Sequence, residues 1–265
     1  MARFPLGKLS AETLARLLAG ITLADPRVIV GPGIGLDAAV MDMGDRLLVA
    51  KTDPITFATD SIGWYAVQVN ANDIATMGAS PRWFMATVLL PPSSADAALA
   101  ESILTQIGDA CAAIGASLVG GHTEITFGLD RPIVVGVMLG EVARERLVTP
   151  WGARPGDVLL LTKGIAIEGT AIIAREKSSE LAECAPAVVA SCRRFLFEPG
   201  ISVVRDAATA MSAGRVHAMH DPTEGGLATG LHEMAQAAGV GLEIDADAVP
   251  IYPETSGLSS KWLRT

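Results

Sequence analysis

The sequence predicts an α+β protein in two modest domains, the first a mixed sheet with helices on one face. Three observations predict it. In the first half, apolar strand-like runs and runs of helical spacing follow one another in the order strand-helix-strand-helix-strand-strand after an opening hairpin. The length, 265 residues, suits two modest domains better than one large one. A charged stretch bearing Pro150, Pro155 and Gly156, from Arg144 onward, divides the chain into expected units 1–143 and 144–265.

Each element has a local reason. Ser10 is placed to cap a helix over Glu12 to Ala19, with Leu14, Leu17 and Leu18 on one side. Val28 to Val30 is a short β-branched run that enters Gly31-Pro32-Gly33-Ile34-Gly35. Ala38 to Met41 and Leu47 to Lys51 predict a hairpin about Asp42-Met43-Gly44-Asp45. Ser61 is placed to cap a helix in which Ile62, Ala66, Val69, Asp73 and Met77 recur, ending at Gly78. Trp83 to Leu90 predicts a strand closed by Pro91-Pro92, and Ala95 to Ile114 a long helix stopped by Gly115. Ala116 to Val119 and Pro132 to Val142 predict two more strands.

Beyond the boundary, Val158 to Thr162, Val216 to Met219 and Gly241 to Ile244 read as strands. Glu168 to Arg175, Val188 to Phe197, Val203 to Ala213 and Leu227 to Ala237 read as helices. One face of the first sheet would be left uncovered, which predicts a dimer.

Composition excludes several classes. Half the residues are hydrophobic and 18% are charged, with a mean hydropathy of +0.39, so intrinsic disorder is excluded. No uncharged run approaches the ~18 residues of a membrane helix, and Lys8, Glu12 and Arg16 break any leader-like apolar run. A cytoplasmic protein with no membrane partner is the expectation. A net charge of −9 argues against nucleic acid as a partner. The three cysteines, Cys111, Cys184 and Cys192, have no CxxC spacing and suggest neither zinc nor disulfides; Cys111 reads as core.

The glycines and acids carry the chemistry. Gly31 to Gly35 is G-x-G-x-G rather than the dinucleotide G-x-G-x-x-G, and the hairpin that follows leaves no room for a crossover helix. Asp37, two residues after the last glycine, favours a metal-bridged nucleotide, because a carboxylate beside phosphates needs a cation between them. Gly164 to Thr170 has a P-loop frame, but Thr170 stands where the lysine belongs. Asp53 closes a predicted strand, while Asn70, Asn72 and Asp73 fall inside an apolar helix, where burial unpaired costs about 1–3 kcal/mol each. Gly120-Gly121-His122-Thr123-Glu124 is expected to end one strand and begin the return. His217, His220, Asp221 and Glu224, with His232-Glu233, also allow a zinc-hydrolase reading, although no H-E-x-x-H frame is present.

Together these residues resemble the aminoimidazole-ribonucleotide (AIR) synthetase superfamily, PurM-like, nearest its HypE-like, AIR synthase-related branch. Gly35 to Val40 (GLDAAV) is similar to the family's G-D-D-A-A-V, with Leu36 in place of the first Asp. Thr52-Asp53 matches its T-D, and Val69 to Pro81 (VNANDIATMGASP) its V-N-D-x-A-x-M-G-A-x-P helix. Gly120 to Thr123 resembles G-G-D/H/E-T, and Lys163 to Glu176 and Asp221 to Leu227 (DPTEGGL) resemble HypE-like segments.

The resemblance implies a ferredoxin-like first domain that dimerises through its sheet and a C-terminal α/β domain. It implies ATP in a groove along the dimer sheet, with Mg²⁺ on Asp37, Asp53, Asp73 and Asp221. Gly33, Gly35, Asn72, Gly120, Gly121 and Thr123 would contact the nucleotide, and His122, Glu124 and Glu224 would carry catalysis. The implied activity is ATP- and Mg²⁺-dependent phosphorylation or activation of a carbonyl or amide oxygen in a small substrate. An alternative is a nucleotide-binding scaffold dimer without catalysis. The chain departs from HypE in having no cysteine after Cys192, and it ends soon after Gly226, which suggests a truncated or abbreviated second domain.

Overall fold

A mixed sheet of six strands with two helices on one face decides which side chains can meet. The structure is a computed structural model and describes residues 4–262. Strands β1 (Val28–Val30), β2 (Ala39–Asp42), β3 (Leu47–Ile55), β4 (Ser80–Leu90), β5 (Ser117–Ile125) and β6 (Ile133–Val142) lie in the order β1-β2-β3-β6-β4-β5. Neighbours are antiparallel except β4 and β5, which run parallel.

Helix ends follow local chemistry. In α1 (Ala11–Leu18) the Ser10 hydroxyl accepts from the Thr13 N–H at 3.3 Å. Helix α3 (Ala97–Ile114) starts on Asp96, whose carboxylate accepts from the Leu99 N–H at 2.7 Å, and stops at Gly115 with φ +72°. Helix α2 (Ile62–Thr76) departs from expectation at its start. Ser61 is left-handed and its hydroxyl donates to Asp60 at 3.2 Å instead of capping the helix.

Helix α2 is buried along nearly its whole length, wedged between sheet, α3 and the second half of the chain. That explains why its apolar residues lie on every side and its polar ones are buried. Among the described residues, α3 alone is long and apolar enough to cross a membrane by length and composition. Its Ile103, Ile107, Ala110 and Cys111 belong to the main core, with Val40, Val49, Ile74, Phe84 and Met138.

The opposite sheet face carries alternating half-buried apolar side chains, not covered by a helix among the described residues: Leu48 and Ala50 on β3, Val135, Val137 and Leu139 on β6, Met85 and Leu89 on β4.

Two strands outrun their expected ends. β3 continues through Pro54 because β2 pairs with it only as far as Ala50; Pro54 faces Val135 of β6 and leaves its other edge unpaired, where a missing N–H costs nothing. β5 runs to Ile125, so Gly120 to Glu124 lie within a strand rather than at its turn. At Gly121, φ is +155° and a Cβ would come within 2.0 Å of the Ala86 carbonyl oxygen. The close approach of β5 to β4 requires glycine there.

The second half contributes α4 (Ile167–Glu176), α5 (Pro186–Arg194), α6 (Val204–Ala213), α7 (Gly226–Ala238) and α8 (Pro253–Trp262). The strands expected at 158–162, 216–219 and 241–244 are not formed among the described residues. A strand requires a partner for its N–H and C=O groups, and Val158 and Leu160 stand 81% and 88% exposed with none. Leu263, Arg264 and Thr265 lie outside the described residues.

The halves are sewn together. Tyr65 of α2 packs in one cluster with Ile167, Ala171, Phe195, Leu196 and Ile201. The Glu176 carboxylate accepts from the Thr59 and Asp60 N–H groups at 2.7 and 3.0 Å.

Candidate metal and nucleotide site

The period of two that sends Leu47 and Val49 of β3 into the core also puts Lys51 and Asp53 on that face. Helix α2 lies across it. Asn70 donates through Nδ2 to the Ala66 carbonyl at 2.8 Å and the Asp53 carbonyl at 3.3 Å, so its side of α2 faces β3. Asp73, three residues on, shares that side. Lys51 Nζ consequently stands 3.2 Å from Asp73 Oδ2 and 3.3 Å from Asp53 Oδ2.

The other wall joins both halves of the chain. Asp37 follows the glycine loop and precedes β2; His220 and Asp221 precede α7. Ligand atoms of Asp37, His220 and Asp221 all lie within 4.8 Å of one another. Glu233 of α7 holds His220 Nε2 at 2.8 Å. Gly35, at φ +70°, runs against Glu233: a Cβ there would lie 3.6 Å from the Glu233 Cβ.

Electrostatics bind these groups into one cluster. Burial pushes the Asp73 carboxyl up to about 7, against the pull of Lys51 and with help from Asp37 and Asp53. Asp221 is raised well above the usual carboxylate range, first by burial and then by Asp73 and Asp37. Asp37 is raised by burial, opposed by His220 and Lys51. Burial works against the Lys51 ammonium, but Asp73 and Asp53 outweigh it and its pKa rises.

These residues fit a divalent cation. Asp37 Oδ2 is buried without a hydrogen-bond partner, and the raised carboxyls are acids held short of positive charge. Hard oxygen donors from separate elements suit Mg²⁺, which completes its shell with water and phosphate.

The structure thus brings Asp37, Asp53, Asp73 and Asp221 together. It takes Asn72 elsewhere: its Nδ2 donates to the Ile201 carbonyl at 3.0 Å and its Oδ1 accepts from the Val203 N–H at 2.8 Å, so the amide is spent on joining the halves rather than free for a nucleotide. Gly33 lies in the loop beside Leu36. Gly120, Gly121, His122, Thr123 and Glu124 sit on exposed edge strand β5, three strand spacings from β3, about 14 Å. There His122 Nε2 is 3.0 Å from Glu124 Oε2, and the contact with His122, then Thr126, holds the Glu124 carboxyl below its usual range. Glu224 is exposed, 4.0 Å from Lys8.

His217 contacts Asp157 at 2.9 Å whereas His220 contacts Glu233, so the two histidines are held by different carboxylates.

Two residues escaped the sequence reading. Lys51 carried a signal, a lysine at the core-facing register of an apolar strand. Glu168, in the first turn of α4, has its carboxyl raised by burial, then by Asp53 and Glu224, which places it beside the cluster.

Fold and site define a two-part protein that gathers carboxylates from both halves about a glycine loop. Residues 35–142 match the AIR synthase related protein, N-terminal domain, and residues 154–261 match the C-terminal domain of the same family. The chain belongs to the AIR synthase related family.

It is similar to a selenide, water dikinase of Pelobacter propionicus, 33% identical over 93% of this chain and 69% of that protein. It is also similar to the carbamoyl dehydratase HypE of Cupriavidus necator, 29% identical over 82% of this chain and 60% of that protein. Among solved structures, the hydrogenase maturation protein HypE in complex with ATP shares the fold, with a TM-score of 0.68 and 24% identity over 96% of this chain and 73% of that one. The family is one of ATP-dependent enzymes.

Proposed function

We propose that this chain is an ATP- and Mg²⁺-dependent enzyme of the HypE-like, AIR synthase-related type that phosphorylates or activates a carbonyl or amide oxygen of a small substrate. The observation that carries it is the convergence of Asp37, Asp53, Asp73 and Asp221 around Lys51, against the glycine loop. Residues 1–143 form the nucleotide-binding, dimerising domain, ferredoxin-like in kind, and 144–265 the C-terminal domain.

Bound ATP supplies the phosphoryl group, and Mg²⁺ neutralises the phosphates. Around them, the four aspartates would hold the cations and the glycine loop would offer backbone N–H groups to phosphate oxygens. Lys51 holds the Asp53 and Asp73 carboxyls in place. Glu168, half-buried at the edge of the cluster, is suited to move a proton, since a raised carboxyl holds one nearer neutral pH.

A homodimer follows from the uncovered apolar face of β3, β6 and β4. Such a dimer also gives a role to exposed His122, Glu124 and Thr123, which sit on edge strand β5, separated from β3 by β6 and β4.

The reading is tested by measuring ATP binding with and without Mg²⁺, then in Asp73→Ala. Mg²⁺-dependent binding that the variant loses supports it; absent or Mg²⁺-independent binding sinks it. ATP binding without phosphate release across amide, carbamoyl and phosphate-ester substrates would favour the inactive scaffold.

A further inference from the structure

The acid cluster is not uniform. Lys51 pairs with Asp53 and Asp73, while among the described residues no ammonium or guanidinium forms an ion pair with Asp37 or Asp221. Those two acids share their space with an imidazole. The His220 side chain is only 8% exposed, and its Nε2 is engaged by Glu233 Oε2 at 2.8 Å. The other ring nitrogen, Nδ1, is buried with no hydrogen-bond partner, as is Asp37 Oδ2.

In the neutral tautomer whose Nε2–H donates to Glu233, Nδ1 carries a lone pair. A buried lone pair beside two carboxylates, with ligand atoms of all three residues within 4.8 Å of one another, calls for a cation. A carboxylate that holds the far nitrogen of an imidazole is how proteins fix the tautomer and orientation of a metal-binding histidine. Mg²⁺ prefers an all-oxygen shell and takes imidazole poorly, whereas Mn²⁺, Co²⁺ and Zn²⁺ accept it.

We propose that His220 Nδ1 completes, with Asp37 and Asp221, one divalent-cation position of this cluster that prefers a transition metal of the Mn²⁺–Zn²⁺ group to Mg²⁺, with Glu233 as its positioning residue. The ion ties the glycine loop of the first half to the start of α7 in the second. The proposal rests on the metal-dependent reading above in sharing Asp37 and Asp221, but His220 and Glu233 are its own.

The test uses the full chain, stripped with chelator and without nucleotide. Mn²⁺ is titrated by electron paramagnetic resonance, nitrogen coupling to the bound ion is measured by pulsed methods, and Mg²⁺ is titrated as competitor. The expected result is one Mn²⁺ bound with coupling to a single imidazole nitrogen. His220→Asn should abolish that coupling and weaken Mn²⁺ at least tenfold while changing Mg²⁺ affinity less than threefold. Glu233→Gln should weaken Mn²⁺ by roughly 10–100-fold with the coupling retained.

Mn²⁺ bound by the unaltered chain with no nitrogen coupling overturns the proposal, whatever the variants do. Equal losses of Mn²⁺ and Mg²⁺ in His220→Asn overturn it also. Coupled Mn²⁺ in a chain that binds no ATP would leave this site standing and remove the ATP reading; Mg²⁺-dependent ATP binding with uncoupled Mn²⁺ would do the reverse.

Discussion

Lys51 Nζ of β3 lies 3.2 Å from Asp73 Oδ2 of α2, and this contact fixes helix to sheet at the centre of the acid cluster. The ammonium is a resident cation among carboxylates that otherwise repel one another. Its side chain is 19% exposed and that of Asp73 7%, so water screens the pair little.

Lys51→Met removes the charge but keeps most of the stem. The variant should lose about 3 kcal/mol of stability when metal-free, the usual cost of stripping one partner from a buried pair. Saturating Mg²⁺ should restore much of the loss, which thermal unfolding with and without the ion will show. A melting temperature unchanged by the substitution would deny Lys51 this role.

Asp73 gives a pH dependence. Its carboxyl is raised to about 7 in the folded chain, from an ordinary 3.8. Between those values the native state binds a proton that the unfolded state does not, so stability should fall as pH rises from about 4 to 7. Denaturant titrations of metal-free protein should show that slope, and Asp73→Asn should lessen it, the remainder coming from the raised carboxyls of Asp37 and Asp221. A stability that rises through this window in both proteins would contradict the assignment.

Asn72 holds the halves together through Ile201 and Val203. Asn72→Ala should cost about 1–3 kcal/mol in urea, since it leaves a buried N–H and carbonyl without partners. Limited proteolysis should cut between the halves faster in the variant. Mg²⁺ affinity at the aspartates should change little.

Glu168→Gln removes the carboxyl that borders the cluster. Once a substrate is found, turnover should drop by roughly 10²–10⁴-fold with ATP affinity nearly unchanged, as expected for a proton-transfer group. An equal loss of ATP binding would instead make Glu168 part of the metal shell.

Gly121→Ala tests the double glycine on β5. The new methyl group would press on the Ala86 carbonyl, so the variant should unfold at lower denaturant, by about 1–3 kcal/mol. Gly120→Ala, where a Cβ meets open space, should be nearly neutral.

The sequence by itself determined the elements of the first half, since each has a local cause. Ser10 caps α1, Gly115 ends α3, and an apolar β-branched run marks β6. It also marked Asn70, Asn72 and Asp73 as anomalous, because polar residues in an apolar helix need partners and all three prove buried. The strands of the second half were not decided by their β-branched runs: periodicity describes one chain segment, and a strand exists only where another segment supplies its hydrogen bonds.

The site was legible as residue types and illegible as a constellation. Asp37, Asp53, Asp73 and Asp221 could be picked out one by one, but which of them meets which depends on strand order and on how α7 docks against the glycine loop. Lys51 joins them because an odd register on β3 points at α2, and Asn72 leaves them because one residue along a helix turns a side chain by about 100°. Local sequence sets backbone conformation and which face is apolar. Charge pairing among distant residues is a property of packing, and only the tertiary structure decided that Lys51 answers Asp73 while His220 answers Glu233.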